Sequence, residues 1–171
     1  MSKYIIVDVE ADGELLGTNS MVCFGAVLLD KDLKTTFYGK TRPISELYKP
    51  DALAVSGFSR EEHEQFDDPA KVMQDFAQWL GNITTRPILL SDNNGFDASW
   101  INWYFHKYHG SNPFGWSSRR IGDLICGFKN NPFYNWKQHR ITKHTHNPVD
   151  DAMGNAEAMH WVINEGLNIK L

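Results

Sequence analysis

Between residues 4 and 41 the chain carries three β-prone runs and no segment of helical periodicity. Residues 4–10 are aromatic and β-branched and end in the turn Ala11-Asp12-Gly13. Residues 21–29 are apolar, 30–34 are polar and turn-like, and 35–41 return to β-prone chemistry. The last two runs read as a hairpin, and all three as an antiparallel meander. Past Pro43 and Pro50 the period changes, with 51–55 as a short helix. Asp68 as cap and Pro69 in the first turn open a helix with Val72, Phe76, Trp79 and Leu80 on one face and Gly81-Asn82 as its end. Residues 87–91 form a short buried strand. Residues 97–109 form a helix striped by Trp100, Ile101, Tyr104 and Phe105 and stopped by Gly110. Residues 111–148 are loop-rich, with Pro113, Pro132 and Pro148. A last helix runs from Asp150 or Asp151 to 163 with Ala152, Ala156, Met159 and Ile163 on its narrow face. A meander followed by alternating helix and strand specifies an α/β sheet of mixed strand direction.

At 171 residues the chain is expected to be one domain, 1–171. Its 42% hydrophobic and 22% charged residues exclude wholesale disorder. No stretch approaches the roughly 20 apolar residues of a bilayer span, so no membrane partner is expected. The N-terminus lacks the apolar core and cleavage site of a signal peptide. Two cysteines, Cys23 and Cys126, make neither a disulfide framework nor a four-cysteine zinc site. A reduced, cytoplasmic protein is expected. Net charge is −4, but it is unevenly spread: residues 1–85 hold 14 acids against 8 bases, residues 86–171 hold 7 against 9. Within 119–145, six bases face one acid, Asp123, among Phe128, Phe133, Tyr134 and Trp136. Cations for phosphates and flat rings for bases suit a single strand of nucleic acid; a solvated loop has the same composition.

Three short motifs carry the chemistry. Asp8-Val9-Glu10 ends the first strand, and period-two alternation puts both carboxylates on one face. Their repulsion is relieved by a hard divalent cation with oxygen ligands, unless both acids stand in solvent. Asn93-Asn94-Gly95-Phe96-Asp97 follows the strand at 87–91 and opens a helix. There Asp97 is either a first-turn acid or a third carboxylate at a strand end, where α/β folds place ligands. His146-Asn147-Pro148-Val149-Asp150-Asp151 sets a histidine on a loop just before a helix. A base and metal ligand, or a capping Asp150 with a surface histidine, both fit that pattern. Four carboxylates and a histidine are the inventory of a two-metal phosphoryl site. No HExxH spacing or cysteine pair supports zinc hydrolysis, and no GxSxG supports a serine nucleophile.

In this order the motifs resemble those of the DEDDh 3′–5′ exonucleases of the ribonuclease-H-like superfamily, the compact ribonuclease T and oligoribonuclease type. Asp8-Val9-Glu10 with its polar turn and Gly13 is similar to the first motif, Asn93-x-x-Phe96-Asp97 to the second, and His146-x-x-x-x-Asp151 to the third. Asp151, not Asp150, follows from the family spacing. Ser56-Gly57-Phe58-Ser59 is similar to the family's His-Gly-Ile-Thr loop, departing at Ser56 and Phe58.

The resemblance implies a ribonuclease-H-like fold, a central five-stranded mixed sheet flanked by helices. It implies two Mg²⁺ or Mn²⁺ ions on Asp8, Glu10, Asp97 and Asp151, with neutral His146 as general base. The product is a 5′-mononucleotide taken from the 3′ end of single-stranded RNA or DNA, and the small size favours RNA. Leu15 and Leu16 would wedge the terminal base. Gly57, Phe58, Asn93 and Phe96 would line the substrate, and the basic aromatic stretch adds Trp136 and Arg140. Some compact relatives are homodimers, which this chain permits. The competing readings are a non-catalytic nucleic-acid-binding or protein-interaction module on the same fold, and a ribonuclease-H-type endonuclease.

Overall fold

The computed structural model describes residues 2–171. Its sheet has five strands in the order β3-β2-β1-β4-β5. These are β1 (Lys3–Ala11), β2 (Met21–Leu28), β3 (Thr36–Lys40), β4 (Pro87–Ser91) and β5 (Ser118–Arg120). The first three pair antiparallel, as the meander requires, and β4 and β5 add parallel to β1. Strand direction therefore changes across β1, whose carboxyl end becomes the natural ligand position.

Alternation along β1 divides its side chains between two cores. Ile5, Val7 and Val9 face one core with Phe24, Phe76, Trp100, Tyr104 and Phe105. Those residues come from β2, α3 (Pro69–Ile83), α4 (Asn94–Tyr104) and the π-helical turn Phe105–His109. Ile6 faces the other core, with Val27, Leu90, Ile121, Ile125, Ala152, Ala156, Met159 and Val162. That side is covered by α5 (Ile121–Phe128) and α6 (Pro148–Asn164). Asp8 and Glu10 continue the Ile6 face, so a stripe that is apolar at residue 6 becomes acidic beneath the start of α6.

The helices follow local chemistry. The Asp68 carboxylate accepts the Ala70 N–H, and Pro69 takes the first turn of α3. That helix passes through Gly81-Asn82 and closes at Thr84, because tertiary packing of Leu80 outweighs the weak propensity of one glycine. Helix α4 begins at Asn94, three residues before the expected start, and its continuation stops at Gly110, whose φ is +86°. The short α1 (Pro50–Val55) lies where expected, followed by an unexpected α2 (Arg60–Glu64). The Ser59-x-x-Glu62 capping box that starts α2 was legible in the sequence. Residues 111–148 are more ordered than their prolines suggest, containing β5, α5 and a 3₁₀ turn at Trp136–His139. Three-residue β5 carries no apolar run, and two glycines mask the helical period of α5. Among the described residues, no helix is long and apolar enough to cross a membrane.

Candidate active site

The acids gather where β1 ends. Carboxylate oxygens of Asp8, Glu10 and Asp151 lie within 4.8 Å of one another. Strand alternation supplies the first two. Asp151 reaches them from the first turn of α6, which begins at Pro148 after Asn147 caps it by accepting the Val149 N–H. Asp151 is 1% exposed, whereas Asp150 turns back to accept the Thr145 hydroxyl at 3.1 Å. Asp97 arrives from the opposite side, in the first turn of α4, and its carboxylate meets the Ser91 hydroxyl and the Val9 backbone. Its oxygens are not among the three gathered within 4.8 Å, but its charge acts strongly on Asp8.

Burial and crowding hold these acids against ionisation. Burial, then the charges of Asp97, Glu10 and Asp151, raise Asp8 well above the usual carboxylate range, with Arg140 opposing. Glu10 is pushed up to about 7, chiefly by burial and then by Asp151. Asp97 is pushed up to about 8 by burial, and its Oδ2 is buried with no hydrogen-bond partner. A cluster of oxygen donors that resists its own charge and leaves one buried oxygen unpaired fits hard divalent cations.

The loop before α6 brings the histidines. His146 has φ +62°, a rare conformation for a side chain other than glycine or asparagine. The twist aims two backbone donors at Asp151: the Thr145 N–H reaches Oδ1 and the His146 N–H reaches Oδ2, each at 3.0 Å. His146 Nδ1 then stands 3.6 Å from Glu10 Oε1. His144, not among the expected site residues, lies with Nδ1 2.8 Å from Asp151 Oδ2. The His-x-His spacing was the one signal that could have singled it out.

The chain is 31% identical over 161 residues to the 3′–5′ DNA exonuclease Cap18 of Escherichia coli, across 92% of this chain and 84% of the relative. The chain belongs to the DEDDh 3′–5′ exonucleases. Its fold superposes with a TM-score of 0.82 on the nuclease domain of 3′hExo, a DEDDh member bound to rAMP, at 17% identity over 98% of this chain and 94% of that one. Exonuclease I of E. coli in complex with a dT13 oligonucleotide superposes at 0.71, with 19% identity over 96% of this chain and 41% of that one. No protein-family model matches. The ribonuclease-H-like sheet expected from the sequence is present, and the DEDDh exonuclease family carries with it dependence on a divalent metal.

The further expected DEDDh site residues divide by environment. Leu15 and Leu16 stand exposed on a turn just beyond β1. That turn is fastened by buried Asp12, whose carboxylate accepts the Ser20 N–H at 2.6 Å and pairs with Arg60 of α2 at 3.3 Å. Gly57 is exposed at φ +77°, Phe58 is half-buried, Asn93 is exposed ahead of α4, and half-buried Phe96 meets Trp100 edge-on. Trp136 and Arg140 are enclosed rather than presented as a flat base-stacking surface. Trp136 is 5% exposed in the α6 core. Arg140 lies over its ring at 5.2 Å, bonded to Asp92 at 3.3 Å and to Asn155. Apolar packing against α5 and α6 claims the indole before any substrate can. Other cations of the 119–145 stretch are also internally paired: Arg120 with Asp123, Lys129 with Glu165, Lys137 with Asp92. A cleft of about 370 Å³ lined by Lys137, Arg140, Ile141, Thr142, Lys143 and His144 adjoins the acids.

Proposed function

We propose that this chain removes 5′-mononucleotides one at a time from the 3′ end of single-stranded DNA. The observation that carries the reading is the convergence of Asp8, Glu10 and Asp151 from two elements, with Asp97 beside them and His146 3.6 Å from Glu10. DNA is preferred over the RNA suggested by size because the 31% identical relative is named a DNA exonuclease.

Two Mg²⁺ or Mn²⁺ ions held by Asp8, Glu10, Asp97 and Asp151 would supply Lewis-acid charge to the attacking and departing oxygens. His146 accepts the proton of the attacking water on a ring nitrogen, from a loop whose backbone Asp151 fixes. The exposed Leu15-Leu16 turn meets the terminal base, and the Asp12–Arg60 pair keeps that turn in place. Lys143, exposed in the cleft it shares with His144, faces the phosphates of the entering strand.

The test is a 5′-labelled DNA strand, the matching RNA and a single-stranded DNA circle, each with Mg²⁺, Mn²⁺ or EDTA. A shortening ladder on DNA with either metal, an intact circle and no product in EDTA are expected. A cut circle would establish an endonuclease, and binding without cleavage a non-catalytic module. A faster RNA ladder would reverse the preference.

A further inference from the structure

His144 has no role in that reading, yet it stands against the acids. Its ring meets His146 at 4.3 Å between centroids and 66° between planes. One ligand atom each from His144, His146 and Asp151 lies within 4.8 Å of the others. This donor set differs in kind from Asp8, Glu10 and Asp151. It offers two imidazole nitrogens and one oxygen, which bind zinc far better than magnesium. Bonds of about 2.0–2.1 Å at tetrahedral angles place ligand atoms roughly 3.4 Å apart. The His144 and His146 side chains are 54% and 48% exposed, so their rings have open space in which to turn toward that spacing. The backbone beneath them is already pinned through the Thr145 and His146 N–H bonds to Asp151. Water completes the fourth position.

The geometry points to a second metal site, His144–His146–Asp151, that takes Zn²⁺ and silences the nuclease when filled. A ring nitrogen of His146 bound to zinc cannot accept a proton, and Asp151 is drawn from the acidic cluster. The inhibitory half rests on the exonuclease reading; the binding half does not.

Zinc binding to the full chain is measured by competition with a chromophoric chelator, and an intense visible absorption of bound Co²⁺ reports the four-coordinate site. The chains compared are wild type, His144→Ala, Asp8→Asn and the distant His106→Ala. His144→Ala is expected to weaken zinc at least about 10-fold and to lose the Co²⁺ band, with the other two like wild type. In Mg²⁺-supported hydrolysis, His144→Ala should need at least about 10-fold more zinc for half-inhibition relative to its own zinc-free rate. Wild-type zinc affinity in His144→Ala overturns the site, as does its loss in Asp8→Asn, which would seat zinc among the carboxylates. Zinc bound through His144 with equal inhibition of both chains overturns the switch. Zinc bound as expected by a chain that hydrolyses nothing upholds the site and overturns the exonuclease reading.

Discussion

Gly25 lies opposite Asp8 in the β1–β2 ladder, and the main chain of Pro148 occupies the space a Gly25 side chain would fill. A Cβ there would come within 2.3 Å of the Pro148 carbonyl and 2.4 Å of the Val149 nitrogen. The first turn of α6 can thus rest directly on the sheet, which seats Asp151 against Asp8.

Gly25→Ala should therefore displace α6 and separate the two acids. Overpacking of this kind costs about 1–3 kcal/mol, read as a lower melting temperature. A misplacement near 1 Å costs on the order of 10²-fold in turnover, with KM little changed. Wild-type turnover in this variant would mean that Asp151 need not approach Asp8.

Asp97→Asn removes a buried carboxylate with an unpaired oxygen. Hydrolysis should fall by more than about 10²-fold, because a charge-stabilising group is lost from the site. Stability without metal should hold or rise, since the amide adds no charge to the cluster. Unfolding of the metal-free variant below the wild-type temperature would assign Asp97 to the fold rather than the chemistry.

The raised acids also set a pH dependence. Glu10 and Asp97 bind protons more tightly folded than unfolded, so the native state holds more protons between about pH 4 and about pH 8. Their contribution is fully present at the acid end of that window and is lost as pH rises through about 7 and about 8. Melting temperature in EDTA should fall across that range, and saturating Mg²⁺ should remove most of the fall by neutralising the ionised cluster. A curve with EDTA that is flat or rising would show the acids to be solvated.

His146→Ala should lower turnover by about 10²–10⁴-fold, the ordinary worth of a general base. The bonds from residues 145 and 146 to Asp151 are made by backbone N–H groups and survive the truncation, so melting temperature should barely move. A large thermal shift with little kinetic loss would make His146 a loop anchor instead.

Arg140→Ala separates a substrate contact from a structural one. Its guanidinium is almost enclosed, bonded to Asp92 and Asn155 over the Trp136 ring. Breaking a buried pair costs about 3–5 kcal/mol, so a large drop in thermal stability is expected. A raised KM at unchanged melting temperature would restore it to the substrate.

The sequence alone determined the sheet's mixed direction and, with the family resemblance, the candidate acids, three of which the structure gathers. Both are carried by local pattern: period-two runs over 4–41, the same-face pair Asp8 and Glu10, Asp97 at a helix start, and His146 five residues before Asp151. The sequence left β5 and α5 unread, because three polar residues and a helix with two glycines have no distinctive period. Tertiary structure turned Asp151 inward and Asp150 away, as the family spacing implied, and it alone decided that Trp136 and Arg140 are enclosed and that His144 stands against Asp151. Those outcomes depend on how closely remote segments pack, and packing distance between remote segments leaves no trace in local spacing.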